Sequence, residues 1–387
     1  MRGSVWTLLV LSALVGAWLL WSASGNTAQP PPPAEALAQP LPVESPCLEL
    51  PQAEEVPPPA VPPAIRGRVG LYVARFPPRH GEAAGESEFR PSKVVQIAPQ
   101  EVFPLASNYK TAVWLEVLRQ ADQGSLDLAE RFVVTQANQS LGDYPYDNTP
   151  VLGLAYRMIE WSDNTATDIL HRRVGLGSLQ PLAEELKLCK TRLLLPTKAW
   201  WTAESGLGGA DFPRYKLISS SQRFAQASSE ERLQIAQRLD TVAQSLHPDR
   251  LYRALKTFYG GGYTWEQMAQ IDRNLQNAST PLEWARFLWW AFTQNGLSPQ
   301  NDRRFREVMA KGYGSRRLRV RYSYFGGKSG NTAGVLGFSG YLEAPDGSRY
   351  VYVFLCDTIP EVNTFNLAPP AFGLINEALL RLGMKGR

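Results

Sequence analysis

Residues 67–76 read GRVGLYVARF, a run in which apolar side chains alternate with other residues as they do in a half-buried β-strand. Strand character returns near the C-terminus at 319–325, 335–342 and 350–356, and a further short strand is expected at 93–97. Strands from the two ends of a chain can pair in one antiparallel sheet. We therefore expect an α+β fold whose sheet is formed by both ends of the domain.

The sequence between these strands has helical character. Apolar residues recur at helical spacing in 111–120 and 149–161, and a long, charged, helix-prone stretch runs from 219 to 310. A last helix is expected at 370–382. The helices should then form a second layer that packs on the sheet, with the middle of the chain inserted between two of its strands.

The composition limits the classes of function. The chain has 387 residues, 44% of them apolar and 20% charged, which is enough to bury a large core. Its 40 basic and 36 acidic residues give a net charge of +4, too mild an excess to indicate nucleic-acid binding. The three histidines and three cysteines form no metal motif, so we expect no metal and no cofactor. Cys189 and Cys356 are predicted to be core residues.

Residues 1–25 predict export. Arg2 precedes an almost continuously apolar run at 5–21, and small residues follow the run. This order is typical of a secretory signal peptide; an uncleaved membrane anchor is the alternative, because the run is close to the length that spans a bilayer. Residues 26–65 are rich in proline and predict an extended spacer before the domain at 66–387.

The first motif that carries chemistry is the Ser-x-x-Lys pair of Ser107 and Lys110. Ser107 stands where a helix should begin, and Lys110 follows three residues later on the same helical face. The amine is then placed to take the proton of the hydroxyl, and the positive end of the helix dipole favours negative charge there. An N-cap serine beside a solvated lysine is the alternative, so this pair alone does not decide the function.

The second motif is the sequence Ser162-Asp163-Asn164, which is predicted to form a short loop between two helices. The hydroxyl of Ser162 is suited to relay a proton, and the amide of Asn164 is suited to bind a substrate amide. We expect Asp163 to hold the loop by bonding local backbone groups. An ordinary capping turn would have the same residues.

The third motif is Lys328-Ser329-Gly330, which follows the predicted strand at 319–325. Lys328 would supply a fixed positive charge and Ser329 a hydroxyl for a carboxylate, while Gly330 lets a substrate backbone approach closely. An exposed turn with a solvated lysine is the alternative. A phosphate-binding loop is disfavoured, because Arg321 stands where the first glycine of that motif belongs.

In this order and these settings, the three motifs resemble those of class A β-lactamases and penicillin-binding proteins. The resemblance extends from about residue 68 to the C-terminus and includes the stretches MIEWSDNTATDIL and STPLEWARFLWWAF. It implies a five-stranded antiparallel sheet, formed by both ends of the domain and packed with a mostly helical part. It also implies a small-molecule β-lactam or a cell-wall peptide-like substrate, with no nucleic-acid partner.

The resemblance also implies the roles of the first two motifs. Ser107 would be the acylated nucleophile, and Lys110 would activate it or hold the proton network around it. Ser162 would relay a proton to the leaving nitrogen, and Asn164 would bind the amide of the acyl side chain. A nucleophile and a base of this kind are what acylation requires.

The third motif would bind the substrate. By the same resemblance, Lys328 and Ser329 would hold the substrate carboxylate. The backbone N–H groups of Ser107 and Asn331 would form the oxyanion hole, the site that stabilises the charge developing on the carbonyl oxygen. Lys-Ser-Gly stands here where Lys-Thr-Gly is commoner in the family, which is a chemically mild difference.

Two departures from the family pattern bear on the reaction. The Glu-x-x-Leu-Asn pattern that carries the deacylating glutamate is missing from the corresponding stretch at 188–209, where Glu204 is the only carboxylate and so the candidate base. Residues 208–277 have no clear counterpart and predict a helical insertion. Without a deacylating base the acyl-enzyme would be long-lived, so the resemblance supports acylation better than efficient hydrolysis.

Several functions remain open on the sequence. β-Lactam hydrolysis competes with a penicillin-binding, peptidase-like or esterase-like activity through the same serine, and with a non-catalytic module that binds the cell wall. A Ser-His-Asp hydrolase is disfavoured, because no G-x-S-x-G elbow is present and the three histidines are scattered. The oligomeric state and the choice between a cleaved signal and an anchor at 5–21 are also open.

Overall fold

A computed structural model describes residues 49–78, 89–142 and 147–387. Within these ranges no helix has the length and apolar character needed to cross a membrane. The apolar run at 5–21 and Cys47 lie outside the described residues. All of the described residues fall in one compact unit, Ala34–Arg387, which contains both of the hydrophobic cores described below.

The central sheet takes strands from both ends of the described chain. In chain order they are β1 (Glu54–Glu55), β2 (Arg68–Phe76), β3 (Lys93–Ile97), β4 (Tyr324–Thr332), β5 (Val335–Glu343) and β6 (Arg349–Asp357). Their order across the sheet is β1-β3-β2-β6-β5-β4, and all neighbours except β1 and β3 are antiparallel. The prediction of an α+β fold with a sheet from both ends is confirmed, and β4, the strand of the third motif, lies at one edge.

Two details of the sheet differ from the prediction. A sixth strand, β1, comes from the end of the proline-rich spacer and pairs in parallel with β3. The pairing continues one residue past β1, where the backbone N–H of Val56 donates to the carbonyl of Val94 at 2.8 Å. The strand predicted at 319–325 is wrong in its bounds, because β4 begins at Tyr324 and runs through the third motif. Cross-strand pairing with β5 keeps the glycine-rich motif extended.

Helices fill the chain between β3 and β4, and one more follows β6. The described residues contain α1 (Lys110–Asp122), α2 (Val151–Glu160), α3 (Asn164–Val174), α4 (Gln180–Glu185), α5 (Thr197–Glu204), α6 (Leu217–Gln226), α7 (Ser229–Ser245), α8 (Pro248–Tyr259), α9 (Trp265–Leu275), α10 (Pro281–Thr293), α11 (Pro299–Met309) and α12 (Ala368–Arg381). Residues 208–277, for which a helical insertion is predicted, contain α6 to α9, so the predicted helical character of this stretch is confirmed.

The starts of several helices follow from local sequence. The side chain of Thr280 accepts a hydrogen bond from Glu283 N, and Pro281 takes the first helical position of α10. At the start of α9, Thr264 and Gln267 form a reciprocal capping box. These caps satisfy backbone N–H groups that a helix end leaves without partners.

Hydrophobic cores cover both faces of the sheet. On one face α12 packs against β5, where the ring centroids of Phe338 and Phe372 lie 4.7 Å apart. On the other face α10 packs against β2, where the rings of Phe76 and Trp289 stack at 3.6 Å. The sheet is therefore a middle layer, and the helices α1 to α11 lie on the side from which the nucleophile motif approaches β4.

The cysteines divide into two kinds. Cys356 is buried and free, as predicted for a core residue. The core prediction for Cys189 is wrong, because this side chain is only half-buried and takes part in a disulfide. Its neighbour Leu188 enters the core instead, so the leucine-rich surroundings that suggested burial belong to the other side of the same segment.

Candidate active site

The candidate nucleophile Ser107 lies in a 3₁₀ turn, Ala106–Tyr109, that leads directly into α1. Ala106 has a φ of 43°, a left-handed conformation that costs a non-glycine residue on the order of 1–2 kcal/mol. In this turn Ser107 is partly exposed, while Ala106, Asn108 and Tyr109 are buried. The Ser107 hydroxyl is therefore the side-chain group of this turn that a small molecule can reach.

Asn108, beside the nucleophile, fixes the turn to the sheet. Its amide donates to the carbonyl of Leu105 at 2.9 Å and its oxygen accepts from the hydroxyl of Ser339 at 2.8 Å. The indole N–H of Trp284 donates in turn to Ser339 at 3.1 Å. Sequence analysis did not single out these residues; the signal that could have found Asn108 is a polar residue on the inner face of a predicted helix start.

Gly330 brings β4 against the nucleophile turn. A Cβ atom at this position would lie 2.6 Å from the carbonyl oxygen of Leu105 and 2.7 Å from the backbone nitrogen of Ser107. Only glycine allows so close an approach of two backbones. The first and third motifs, predicted from distant parts of the sequence, are therefore in contact.

Lys110 connects the first motif to the second. Its buried Nζ donates to the carbonyl oxygen of Ser162 at 2.7 Å, to the hydroxyl of Ser162 at 3.2 Å and to Oδ1 of Asn164 at 2.8 Å. These three acceptors account for the three hydrogens of an ammonium group. The predicted contact with the Ser107 hydroxyl is not among its hydrogen bonds, so proton transfer from Ser107 requires the amine to release one of these acceptors.

Burial changes the protonation of both motif lysines. It lowers the pKa of Lys110 to about 7, against the opposing effect of the carboxylates of Asp163 and Asp168. It also lowers the pKa of Lys328 well below its usual value, and the charge of Lys110 adds to this effect. Because burial disfavours the charged form of both amines, Lys110, with a pKa of about 7, can become neutral near neutral pH and serve as a base.

The hydroxyl of Ser162 lies between the two lysines. Lys328 Nζ donates to it at 3.0 Å, and Lys110 Nζ donates to it at 3.2 Å. An oxygen that accepts from both amines keeps its own O–H as a donor. This hydroxyl is therefore placed to pass a proton between an amine and a third group, and the second and third motifs meet at it.

Asp163 stabilises the loop of the second motif. Its side chain caps α3 by accepting from the backbone N–H of Ala166 at 2.9 Å, and it also accepts from Arg157 Nε at 2.8 Å. These bonds confirm the expectation that Asp163 holds the loop through local groups. They also hold Ser162 at a φ of 57°, a conformation that a non-glycine residue adopts only when its surroundings impose it.

The register of β4 directs two of its N–H groups away from β5. A two-residue connection joins Thr332 to Val335, so this pair is hydrogen-bonded. Along an antiparallel ladder, hydrogen-bonded residue pairs alternate with non-hydrogen-bonded pairs, whose N–H groups point away from the partner strand. The N–H groups of Ser329 and Asn331 therefore face the open edge of the sheet, on the side where the backbone of Ser107 approaches Gly330. The oxyanion hole at Ser107 and Asn331 stays a prediction.

Asn164 and the helix that begins with it organise one wall of the site. Asn164 donates its amide N–H to the carbonyl of Leu141 at 2.9 Å while it accepts from Lys110. Four residues later, the buried carboxylate of Asp168 accepts from the backbone N–H groups of Thr197 and Lys198 at 2.6 and 2.9 Å. Asn164 is a predicted site residue, whereas Asp168, Thr197 and Lys198 are not, although an acid on the inner face of an amphipathic helix is itself a signal of a buried partner.

Glu204 is fully buried at the end of α5, where it contacts the insertion. Tyr259 and Gln276 donate to its carboxylate at 3.2 and 3.1 Å. Burial raises the pKa of Glu204 to about 7, and burial together with the negative charge of Glu204 raises that of Asp272 well above its usual value. The structure thus links the candidate deacylation base to the insertion, and within the described residues its hydrogen bonds do not include Ser107 or Lys110.

The Glu204 carboxyl makes the stability of the protein depend on pH. A carboxyl whose pKa rises from 4.5 to about 7 on folding costs on the order of 3 kcal/mol once the folded state must ionise it. Its contribution is present below pH about 4.5 and is lost as the pH rises to about 7. We expect Glu204→Gln, which keeps the hydrogen-bonding shape without the charge, to melt at a higher temperature than the wild type at pH 8.

The same comparison at pH 5 should show little difference, because both proteins are then close to neutral at this position. Glu377→Gln, which changes an exposed glutamate, serves as the control and should shift the melting temperature equally at both pH values. A Glu204→Gln variant that is less stable than the wild type at pH 8 would contradict the assignment of a buried carboxyl with a raised pKa.

Solved structures of β-lactamases and of PBP-A share the fold of this chain. A β-lactamase from Sphaerobacter thermophilus is 18% identical, with a TM-score of 0.53 and an alignment that covers 82% of this chain and 91% of that one. A variant of PBP-A, described as an acyl-enzyme complex with penicillin G, is 17% identical, with a TM-score of 0.50 and coverages of 82% and 92%. A β-lactamase from Xanthomonas campestris is 14% identical, with a TM-score of 0.51 and the same coverages. At these identities the likeness establishes a shared serine β-lactamase fold.

A comparison with protein families is more specific. Residues 88–366 match the model of the beta-lactamase enzyme family, Beta-lactamase2. Because the match covers most of the chain, the protein belongs to this family. No curated protein sequence matches the chain.

Proposed function

We propose that this protein is a serine hydrolase that opens β-lactam amides through an acyl-enzyme on Ser107. The observation that carries the proposal is the meeting of all three motifs, with Lys110 and Lys328 both donating to the hydroxyl of Ser162. Gly330 places the same strand against the backbone of Ser107. A nucleophile, a base, a proton relay and an N–H donor site are together sufficient for acyl transfer.

In the proposed acylation, neutral Lys110 takes the proton of the Ser107 hydroxyl as Oγ bonds to the carbonyl carbon. The charge that develops on the carbonyl oxygen is stabilised by the N–H groups of Ser107 and Asn331. As the C–N bond breaks, Ser162 gives its proton to the leaving nitrogen and receives one from Lys110. The products are an ester on Ser107 and a neutral amine, and Lys110 is returned to its neutral form.

Substrate recognition follows from the remaining positions. In the proposal, Lys328 and Ser329 hold the substrate carboxylate, and Asn164 binds the amide of the acyl side chain. The backbone N–H of Ser329, which faces the open edge of the sheet, is a further donor for an anionic group. The substrate class is thus a small amide with a carboxylate close to the scissile bond.

A second candidate function is that of a penicillin-binding or peptidase-like enzyme with slow deacylation. The position of Glu204 favours it, because this carboxyl bonds Tyr259 and Gln276 and not the lysine cluster, which is the pair Lys110 and Lys328. Without another base, the ester on Ser107 would be hydrolysed slowly, by water that no general base activates. The same acylation chemistry would then serve a cell-wall peptide or a related ester.

The lifetime of the adduct separates the two functions. The protein is mixed with excess benzylpenicillin, the excess is removed, and intact mass is followed with time. Decay in seconds with steady turnover supports a true β-lactamase, and persistence for hours supports the second function. In either case we expect Glu204→Gln to change the decay rate by less than about threefold, because the carboxyl lies in a separate hydrogen-bonded cluster; a loss of 10²-fold or more, the size of a general-base effect, would identify it as the base.

We also propose that the domain acts outside the cytoplasm. The signal-like segment at 5–21 motivates this proposal, and the disulfide at Cys189 supports it, because such bonds persist mainly in oxidising compartments. A fusion of residues 1–65 to a reporter that is active only after export tests it. Activity of the fusion equal to that of a reporter without a leader would contradict it.

A further inference from the structure

A group of exposed basic residues lies outside the candidate active site, before β4 and at the C-terminal end of the sequence. The segment before β4 carries Arg316, Arg317, Arg319 and Arg321, and the C-terminal end carries Lys385 and Arg387; all six are exposed. Two backbone bonds join the segments: Arg321 N donates to Lys385 O at 2.8 Å, and Arg387 N donates to Arg319 O at 2.9 Å. We call these six residues the basic patch.

The side chains of the basic patch bond only neutral partners among the described residues. In the part of the chain that the structure describes, none of its six side chains forms an ion pair. Arg317 bonds the hydroxyl of Tyr313 at 3.1 Å, and Arg387 bonds the carbonyl of Val320 at 3.2 Å. Neither of these partners carries a negative charge. Six exposed cations therefore lie on two segments that backbone hydrogen bonds hold side by side.

An exposed apolar side chain lies beside the basic patch. Leu380, on the last turn of α12, is 45% exposed. Its methyl carbon lies 3.8 Å from the position of a Cβ at Gly386, in the middle of the C-terminal segment. Arginines and lysines around an apolar residue are typical of a surface that lies on the headgroup region of a bilayer. A soluble polyanion would leave Leu380 in water.

The end of the proline-rich spacer lies beside the same surface. Arg381, next to Leu380, donates from Nη1 to the carbonyl of Pro57 at 2.9 Å. The end of the proline-rich segment therefore crosses the last turn of α12, and the apolar run at 5–21 precedes it in sequence. A chain held near a membrane by its N-terminus would thus enter the domain beside this surface.

We infer that the basic patch and Leu380 form a surface that docks on anionic phospholipid. The cations would approach the lipid phosphates, and Leu380 would enter the boundary between headgroups and acyl chains. Each basic residue close to an anionic bilayer contributes a factor of roughly five to the partition. The inference does not depend on the chemistry of Ser107.

Vesicle binding of residues 34–387 tests the inference without the apolar run. We expect at least about tenfold tighter binding to vesicles that contain phosphatidylglycerol than to pure phosphatidylcholine vesicles, and a steep loss of this preference with added salt. The test variant replaces with glutamine the four patch residues whose side chains form no hydrogen bond to another described residue, Arg316, Arg319, Arg321 and Lys385. It should lose the preference.

The matched control removes the same charge elsewhere. It replaces Arg250, Arg253, Lys256 and Arg303, all exposed on α8 and α11, with glutamine. This variant should keep the preference to within about threefold. Equal losses in the two quadruple variants would mean that net charge and not the patch is responsible, and would overturn the inference, as would a wild-type protein with no preference for anionic vesicles.

Leu380→Ser distinguishes a membrane from a soluble phosphate polymer. We expect it to weaken binding to anionic vesicles several-fold and to leave the binding of soluble polyphosphate unchanged. If vesicle binding is also unchanged, or if the wild type binds polyphosphate as tightly as vesicles at equal phosphate concentration, the surface recognises phosphate alone, and the membrane assignment is wrong.

Discussion

Replacing Lys110 with methionine should lower the rate of Ser107 acylation by about 10³-fold, within the range that a general base contributes. Methionine preserves much of the length of the side chain and is tolerated in buried sites. It removes the amine that contacts Ser162 and Asn164. Pre-steady-state acylation by a chromogenic cephalosporin measures the effect.

The pH dependence gives an independent check on Lys110. Because burial lowers its pKa to about 7, the amine is neutral above that pH and protonated below it. Acylation by the wild type should therefore rise with pH up to about 7 and then level off. The rise should be absent in Lys110→Met, since the group that titrates has been removed.

Lys198→Met is the matched control for Lys110→Met. Lys198 is also buried, but its Nζ donates to the carbonyl of Gln136, outside the lysine cluster of the site. We expect acylation to stay within about tenfold of the wild type, less than the loss of a general base would cause. If the two variants lose acylation equally, the effect reflects the loss of any buried lysine, and the proposed role of Lys110 is wrong.

Gly330→Ala should reduce kcat/KM for acylation by at least about 10²-fold, the effect of a misplacement of about 1 Å at a reacting group. The new methyl group would lie 2.6 Å from Leu105 O and 2.7 Å from Ser107 N. Both contacts are with backbone, so the nucleophile turn and β4 must separate. The N–H groups of the proposed oxyanion hole would move with them.

Gly373→Ala tests whether the effect is local. Gly373 lies within α12, and a Cβ there meets nothing within 4 Å. The substitution should raise the melting temperature slightly, since alanine favours a helix over glycine, and leave acylation unchanged. Normal acylation by Gly330→Ala, with a folded protein, would show that close contact between β4 and the nucleophile turn is not needed for the reaction.

Much of the candidate site follows from the sequence because its chemistry lies in three short motifs. The helix start at Ser107 and the loop at Ser162 are each set by local patterns, and the Lys328 motif is recognised by its residues, although the sequence pattern places the strand that carries it too early. Their contact in space follows from the topology, in which a strand from the C-terminal end lies beside a helix from the N-terminal end. The roles of the individual residues remain predictions that the experiments above address.

Other features could not be predicted, because they depend on tertiary contacts. The hydrogen bonds from Trp284 through Ser339 to Asn108 join three separate elements, and no local pattern indicates them. The burial of Glu204 depends on Tyr259, which belongs to an insertion without a family pattern to follow. The bounds of β4 were missed for a similar reason, since its glycines look like a turn until β5 pairs with them.

The central claim is that Ser107 is acylated by a β-lactam, and intact-mass measurement after incubation with benzylpenicillin tests it most directly. The wild type should gain the mass of one penicillin, and peptide mapping should place it on Ser107. Ser107→Ala, with an unchanged melting temperature, should gain none. A wild-type protein that forms no adduct over a range of β-lactams, or an adduct of equal yield in Ser107→Ala, would contradict the account.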